Sequence, residues 1–181
     1  MLSPTSLLPV KGHRYLIEAM SLLPQSIELW LAGEGKLEQE LRKLVRELGL
    51  EKRVHFLDHL SHNILLTFYC GGQVNVVALA SVDLGNGLHE GIPVSLMEAM
   101  AYKIPVISTN TGGIPELLGD GAGIIVEQKN PDELAEAIIR LINDEDLRKW
   151  IGEKGFEKVN REFNLSKIVD ELLYLMKSSI C

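Results

Sequence analysis

The sequence predicts an α/β fold in which helices cover both faces of a doubly wound parallel sheet. Short apolar runs of strand length alternate along the chain with longer segments whose apolar residues recur every three or four positions. The runs are apolar throughout, which is typical of strands buried on both faces. With 181 residues, of which 46% are hydrophobic and 24% are charged, the chain can bury the core of one domain. The alternation implies right-handed crossovers between parallel strands.

In the first half of the chain, the elements follow from apolar spacing and from glycines. Leu16 and Met20 recur at helical spacing, and Gly49 closes a longer amphipathic segment. Between these segments lie short runs rich in Val, Ile and Leu, which have the length of strands. We therefore expect helices at 13–23, 37–48 and 64–69, and strands at 27–32, 54–57 and 74–79. The chain is expected to begin partway through the element that supplies the first strand.

In the second half, the clearest boundary is a helix N-terminus at Asn130. Asparagine caps a helix, Pro131 fits its first position, and the acids Asp132 and Glu133 suit its first turn. Apolar residues at helical spacing follow this cap and recur in two later segments. We expect strands at 106–108 and 123–126, and helices at 131–142, 147–159 and 168–176.

The stretch 90–100 places two carboxylates around the start of a further helix. Pro93 predicts that this helix begins at Ile92 or Pro93, because proline suits a first turn. Glu90 then lies in the preceding loop, and Glu98 lies over the first turn. On spacing alone, the two residues could be ordinary solvated acids. Free backbone N–H groups and the helix dipole would also form a phosphate site here, with donors on Ile92, Val94 and Ser95.

This stretch resembles the signature of glycosyltransferase family 4, a group of retaining enzymes with the GT-B fold. The hallmark of that family is two glutamates separated by seven residues, here Glu90 and Glu98. Other matching segments are Ala99-Met100-Ala101, Pro105-Val106-Ile107, Gly112-Gly113-Ile114-Pro115-Glu116 and Lys11-Gly12. The resemblance implies a single Rossmann-like domain, one half of a GT-B fold. Residues 1–181 would be the C-terminal nucleotide-sugar-binding domain, without the N-terminal acceptor domain.

The resemblance also implies roles for individual residues. Glu90 approaches the donor sugar and is catalytic together with Lys11, which contacts the donor diphosphate, and Glu98 accepts hydrogen bonds from the ribose. Gly33 and Leu60 join the donor site because both follow predicted strands, and ligands bind outside the carboxyl ends of strands in such sheets. The backbone that holds the diphosphate follows Glu90, at Gly91, Ile92, Val94 and Ser95.

Two functions remain open on this evidence. In the first, the chain is the donor-binding part of a metal-independent, retaining hexosyltransferase that is inactive on its own. Its donor would be a UDP-, GDP- or ADP-sugar, its acceptor a glycan or a lipid-linked glycan, and its pathway polysaccharide biosynthesis. In the second, the chain is a non-catalytic subunit that pairs with a separate acceptor-binding chain. Ser6, where the family usually has an arginine, slightly favours the second function, whereas Asn75 and Ala80, in place of Asp and Pro, affect the strand more than the chemistry.

Composition and spacing argue against several other functions. A net charge of −7 argues against a nucleic-acid partner, and no apolar segment is long enough for a membrane span. Cys70 and Cys181 form no disulfide framework, and the five histidines are assigned no metal. Gly33-Glu34-Gly35 lacks the third glycine of a dinucleotide fingerprint, because Glu38 stands there. We expect a cytoplasmic location, with a peripheral position at the inner face of the membrane left open for a complete enzyme.

Overall fold

The computed structural model describes residues 1–164, which form a six-stranded parallel sheet between two layers of helices. A short 3-10 turn at Pro9–Lys11 precedes the first helix. The strands are β1 Leu2–Ser3, β2 Leu29–Leu31, β3 Val54–Phe56, β4 Val77–Ala78, β5 Val106–Thr109 and β6 Ile124–Val126. The helices are α1 His13–Met20, α2 Glu38–Glu47, α3 His62–Cys70, α4 Val94–Ala101, α5 Ile114–Leu118, α6 Pro131–Asn143 and α7 Glu145–Glu162.

The strand order is β3-β2-β1-β4-β5-β6, so the direction in which strands are added reverses between β1 and β4. Leu2 of β1 pairs with Trp30 of β2 on one side and with Val77 of β4 on the other. In open α/β sheets, ligands bind outside the carboxyl ends of the strands at such a reversal. The loops that follow β1 and β4 therefore define the edge where a ligand site is expected.

Two hydrophobic cores cover the two faces of the sheet. Ala78 of β4 belongs to the core under α1, α2 and α6, and its neighbour Val77 belongs to the core under α3, α4 and α5. This assignment to opposite cores follows from the two-residue period of a strand. The doubly wound sheet predicted from the sequence is confirmed.

Several predicted boundaries need correction. The helix expected to start at Ile92 or Pro93 begins at Val94, because Pro93 has an extended ψ of 115° and occupies the cap position. The segment 114–118, for which the sequence analysis predicted no element, forms α5. The predicted strand 74–79 is reduced to β4, although the Leu79 N–H still donates to the Ile107 carbonyl. The predicted helix at 168–176 lies outside the described residues.

The predicted cap of α6 is present. The Asn130 side chain accepts a hydrogen bond from the Glu133 N–H at 3.2 Å, and the Glu133 carboxylate accepts one from the Asn130 amide at the same distance. The first bond satisfies one of the backbone donors that a helix N-terminus leaves free, and the second joins the two side chains. Within residues 1–164, no helix is long and apolar enough to cross a membrane.

Candidate functional site

Two glycines allow the loops at the carboxyl edge of the sheet to approach each other closely. A Cβ atom on Gly12 would lie 1.8 Å from the Ala80 carbonyl oxygen, and one on Gly112 would lie 1.7 Å from the Glu90 carbonyl oxygen. Both glycines also have positive φ, 62° and 56°, which side chains rarely adopt. Gly12 thus brings the start of α1 against the loop after β4, and Gly112 brings the loop after β5 against Glu90.

The close approach places Lys11 and Glu90 in direct contact. The Lys11 ammonium donates to Glu90 Oε2 at 2.6 Å, and the two side chains are only 17% and 13% exposed. The Ser81 hydroxyl donates to the same oxygen at 3.5 Å, and Ser81 itself is fully buried. Sequence reasoning selected Lys11 and Glu90 but missed Ser81, whose only signal was its position just after a predicted strand. The predicted diphosphate cation and the predicted sugar carboxylate therefore form one ion pair.

α4 begins four residues after Glu90, and its N-terminus carries free backbone donors. The Leu96 and Met97 N–H groups donate to the Pro93 carbonyl, and the first N–H groups of a helix have no acceptor within the helix. Among residues 1–164, no acceptor contacts the N–H of Val94 or Ser95. Gly91, in the preceding loop, is exposed. This arrangement provides oriented donors and the positive end of a helix dipole for an anion.

The backbone of Glu90 is fixed by the loop after β5. Its carbonyl oxygen accepts from the Gly113 N–H at 3.4 Å and lies 2.9 Å from Nδ1 of His89. The turn at Gly112 and Gly113 makes its close contact with Glu90, whereas Glu116, three residues further on, is exposed in the first turn of α5.

Glu98 faces α3 and is separate from the Lys11–Glu90 pair in its contacts. Its carboxylate lies 3.5 Å from Nδ1 of His62, and its side chain is 28% exposed. Burial raises the pKa of the nearby Tyr69 phenol, and the negative charge of Glu98 raises it further. The Tyr69 hydroxyl is buried and has no hydrogen-bond partner within the described part of the chain. Glu98 thus offers a partly exposed carboxylate to a ligand with hydroxyls.

Gly33 and Leu60 line one cavity of about 300 Å³ at the same edge of the sheet. It lies at the ends of β1, β2 and β3, and Ser6 and His59 are also in its wall. A Cβ atom on Gly33 would lie 2.3 Å from the Thr5 carbonyl oxygen, so close packing of two loops requires this glycine. Lys11, Glu90 and Glu98 do not line this cavity. The predicted site residues thus occupy three neighbouring places, on both sides of the reversal between β1 and β4.

His13, two residues after Lys11, is buried in an unusual way. It is 1% exposed, and neither ring nitrogen has a hydrogen-bond partner among the described residues. Burial, with a smaller contribution from the Lys11 charge, lowers the pKa of His13 to about 4. The imidazole is therefore neutral at physiological pH and adds no charge to the site.

The histidines provide no metal centre in the part of the chain that the structure describes. No group of three or more His, Cys, Asp or Glu side chains there could hold a metal ion. His55 and His59 are four positions apart, a spacing that brings two side chains together on a helix. Here His55 lies on β3 and His59 in the following loop, so that relation does not apply.

Comparison with known proteins identifies the family. The model of the family described as glycosyl transferases group 1 matches residues 1–158. A GDP-mannose-dependent monoacylated alpha-(1-6)-phosphatidylinositol monomannoside mannosyltransferase of Corynebacterium glutamicum is 30% identical over 179 residues. The alignment covers 95% of this chain and 45% of that protein. The putative colanic acid biosynthesis glycosyltransferase WcaL of Escherichia coli is 33% identical over 184 residues, covering 98% of this chain and 45% of WcaL. The chain thus spans about half the length of these relatives.

Solved protein structures are also similar to this chain. The chain is similar to Anabaena Alr3699/HepE in complex with UDP-glucose, with a TM-score of 0.85 and 26% identity, covering 98% of this chain and 48% of HepE. It is also similar to the C-terminal domain of the glycosyl transferase group 1 family protein LpcC of Francisella tularensis. There the TM-score is 0.77 at 26% identity, and the alignment covers 91% of this chain and 86% of that domain. The predicted half of a GT-B fold is confirmed, and the match to residues 1–158 shows that the chain belongs to the group 1 glycosyltransferases.

Proposed function

We propose that the chain is the C-terminal, donor-binding domain of a retaining GT-B glycosyltransferase of family 4. The observation that carries this proposal is the mostly buried Lys11–Glu90 pair, whose Glu90 lies four residues before Val94, the first residue of α4. A cation, oriented amides and a carboxylate at one helix end suit a ligand that joins a diphosphate to a hydroxyl-rich sugar. The similarity to HepE, which was crystallised with UDP-glucose, supports the same ligand class.

Each residue has a distinct role in the proposed reaction. Lys11 and the N–H groups of Val94 and Ser95 stabilise the negative charge that develops on the departing nucleoside diphosphate. Glu90 orients the donor sugar, and Glu98 accepts hydrogen bonds from the ribose hydroxyls. Because the Lys11 ammonium and the α4 dipole supply positive charge at the diphosphate, the proposed transfer requires no divalent metal or other cofactor.

The cavity formed by Gly33 and Leu60 is proposed to hold the nucleoside. It lies beside the Lys11–Glu90 pair in the sheet order, since β1 is the neighbour of β4. Its volume of about 300 Å³ is at the lower end of the range for small-molecule sites. The base is expected to be that of UDP, GDP or ADP. The HepE complex contains UDP-glucose, and the Corynebacterium relative is described as GDP-mannose-dependent, so both donors are suitable probes.

The acceptor is proposed to bind to a second, N-terminal domain or to a separate subunit. The chain spans 45% of WcaL, whose description places it in colanic acid biosynthesis, and this supports a glycan or lipid-linked acceptor and a role in polysaccharide biosynthesis. Transfer by residues 1–181 alone is expected to be negligible. For the complete enzyme we propose a cytoplasmic location, with peripheral binding at the inner face of the membrane.

A second function is favoured by Ser6. This residue lines the proposed nucleoside cavity at the position where the family usually carries an arginine. Without that cation, the diphosphate receives less positive charge, which suits a subunit that binds a nucleotide sugar without catalysis. Adding the N-terminal half of a relative and measuring transfer separates this possibility from the enzyme.

Calorimetry tests the proposal directly. The chain is titrated with UDP, UDP-glucose, GDP and GDP-mannose in buffer containing a metal chelator. At least one nucleoside diphosphate and its nucleotide sugar are expected to show binding at ligand concentrations up to the millimolar range. Lys11→Met is expected to weaken every ligand that binds. The matched control is Lys149→Met, which removes an exposed lysine on α7. If no ligand binds while the chain remains folded by circular dichroism, the proposal is wrong.

A further inference from the structure

The fully buried Ser81 hydroxyl lies on the same carboxylate oxygen that Lys11 contacts. Its oxygen is 3.5 Å from Glu90 Oε2, and the Lys11 ammonium is 2.6 Å from that atom. Hydrogen bonds to a charged group contribute more than those between neutral groups. Ser81 lies after β4, at the reversal of the sheet.

Hydrogen bonds on two sides hold the backbone at Ser81, so the position of its Cβ atom is fixed. The buried Thr109 hydroxyl on β5 donates to the Ser81 carbonyl oxygen at 2.5 Å. On the other side, the N–H of the next residue, Val82, donates to the Val10 carbonyl at 2.8 Å. Only rotation about the side-chain bonds can redirect the Ser81 hydroxyl. A donor anchored in this way keeps its position when neighbouring long side chains move.

Once a ligand binds, the Lys11 ammonium is expected to have two anionic partners, the Glu90 carboxylate and the diphosphate. In the structure the ammonium pairs with Glu90, and in the proposed complex it faces the diphosphate. A lysine side chain is a flexible point charge, and it can follow the more highly charged group. Among the described residues, Ser81 is then the side-chain donor that remains on Glu90 Oε2.

We propose that Ser81 is a positioning residue that holds the Glu90 carboxylate toward the donor sugar while Lys11 engages the diphosphate. The inference rests on the proposed function. It has a particular consequence, because a positioning role acts only on the part of the ligand that Glu90 contacts. Loss of the hydroxyl should therefore affect the sugar and not the free diphosphate. A purely structural role in the loop after β4 would instead weaken both ligands and lower the melting temperature.

The test compares UDP with UDP-glucose on the chain and two variants. Ser81→Ala is expected to lower the affinity for UDP-glucose relative to that for UDP by about five-fold, which is below the usual range for a charged hydrogen bond because the distance is long. The matched control is Ser108→Ala, which removes another fully buried hydroxyl, one that donates to the Leu79 carbonyl at 2.8 Å. This control is expected to leave the relative affinity unchanged. Ser81→Cys, which keeps an unbranched side chain of the same length in atoms but donates weakly, replaces Ser81→Ala if the alanine variant does not fold.

A double-mutant cycle with Glu90→Ala decides whether Ser81 acts through Glu90. In the Glu90→Ala background, Ser81→Ala is expected to have no further effect on the relative affinity. An effect of the same size in that background would overturn the proposal, as would equal weakening of UDP and UDP-glucose by Ser81→Ala alone. Failure of the unmodified chain to bind either ligand, or the GDP and GDP-mannose pair used in their place, would reject the proposed function and this inference with it.

Discussion

Replacement of Glu90 by glutamine is expected to tighten the binding of free UDP, although Glu90 lies inside the proposed site. The Lys11 ammonium is 2.6 Å from Glu90 Oε2. A diphosphate that recruits Lys11 must first compete with this carboxylate. It must also approach a group of like charge. Glu90→Gln removes both costs and preserves the shape of the side chain.

The expected size follows from the burial of the pair. Exposed ion pairs contribute about 0.2–1 kcal/mol, and loss of one partner of a fully buried pair costs about 3–5 kcal/mol. With side chains that are 17% and 13% exposed, the Lys11–Glu90 pair lies between these limits. Lys11 exchanges one anionic partner for another, so only part of that energy is released. We expect a gain of about 1 kcal/mol, which is about a five-fold lower Kd for UDP.

Calorimetric titration of UDP and of UDP-glucose measures the effect. The affinity for UDP-glucose should increase less than the affinity for UDP. In the proposed function the glucose contacts the Glu90 carboxylate, and Glu90→Gln removes that carboxylate. Glu136→Gln on α6 makes the same chemical change at an exposed position and serves as the control for net charge. Repeating the titrations at high salt separates the local pair from long-range repulsion, which salt screens.

Two outcomes would refute this reasoning. A lower affinity of Glu90→Gln for free UDP would mean that Glu90 supports diphosphate binding and does not compete for Lys11. An equal gain from Glu136→Gln would mean that the effect reflects the net charge of −7 and not the pair.

Three other changes probe the remaining parts of the site. Glu98→Gln is expected to weaken UDP and UDP-glucose by the same factor, roughly ten-fold, because a charged hydrogen bond to the ribose is lost from both; unequal factors in calorimetry would contradict the ribose assignment. Gly112→Ala is expected to lower the melting temperature and the affinity for UDP-glucose, because the new Cβ would meet the Glu90 carbonyl oxygen. The control is Gly87→Ala: Gly87 also has positive φ, but a Cβ there would meet open space, so this variant reports backbone strain alone. An effect of Gly112→Ala no larger than that of Gly87→Ala would contradict this. His13 binds a proton in the unfolded chain below pH 6.5 but in the folded chain only near pH 4. Because the unfolded chain binds the proton first as the pH falls, His13 should lower the free energy of unfolding by about 3 kcal/mol between pH 7 and pH 4. Urea unfolding of His13→Gln should show a correspondingly smaller loss, and an identical loss would refute the assignment.

Local sequence patterns determined the elements of this chain and the chemistry it carries. Residues within one helix or strand are related by a fixed period, so apolar spacing locates buried faces without knowledge of the rest of the fold. The cap at Asn130 placed α6 correctly because its hydrogen bonds join residues three positions apart. Glu90 and Glu98 flank the start of one helix, and the resemblance of the stretch 90–100 to a family signature singled them out, because spacing alone allowed two ordinary solvated acids. The order of strands and helices then implied the doubly wound sheet.

Tertiary structure decided which of these groups touch each other. Lys11 and Glu90 are 79 positions apart, and their direct pairing depends on how two loops meet at the reversal between β1 and β4. The buried Ser81 could not be distinguished from any other serine after a strand until its hydroxyl was placed against Glu90. Likewise, the close approach that requires Gly112 is visible only once the loop after β5 is packed on Glu90. No periodicity relates residues on different loops, so these contacts are set by the paths of the loops over the sheet and not by spacing along the chain.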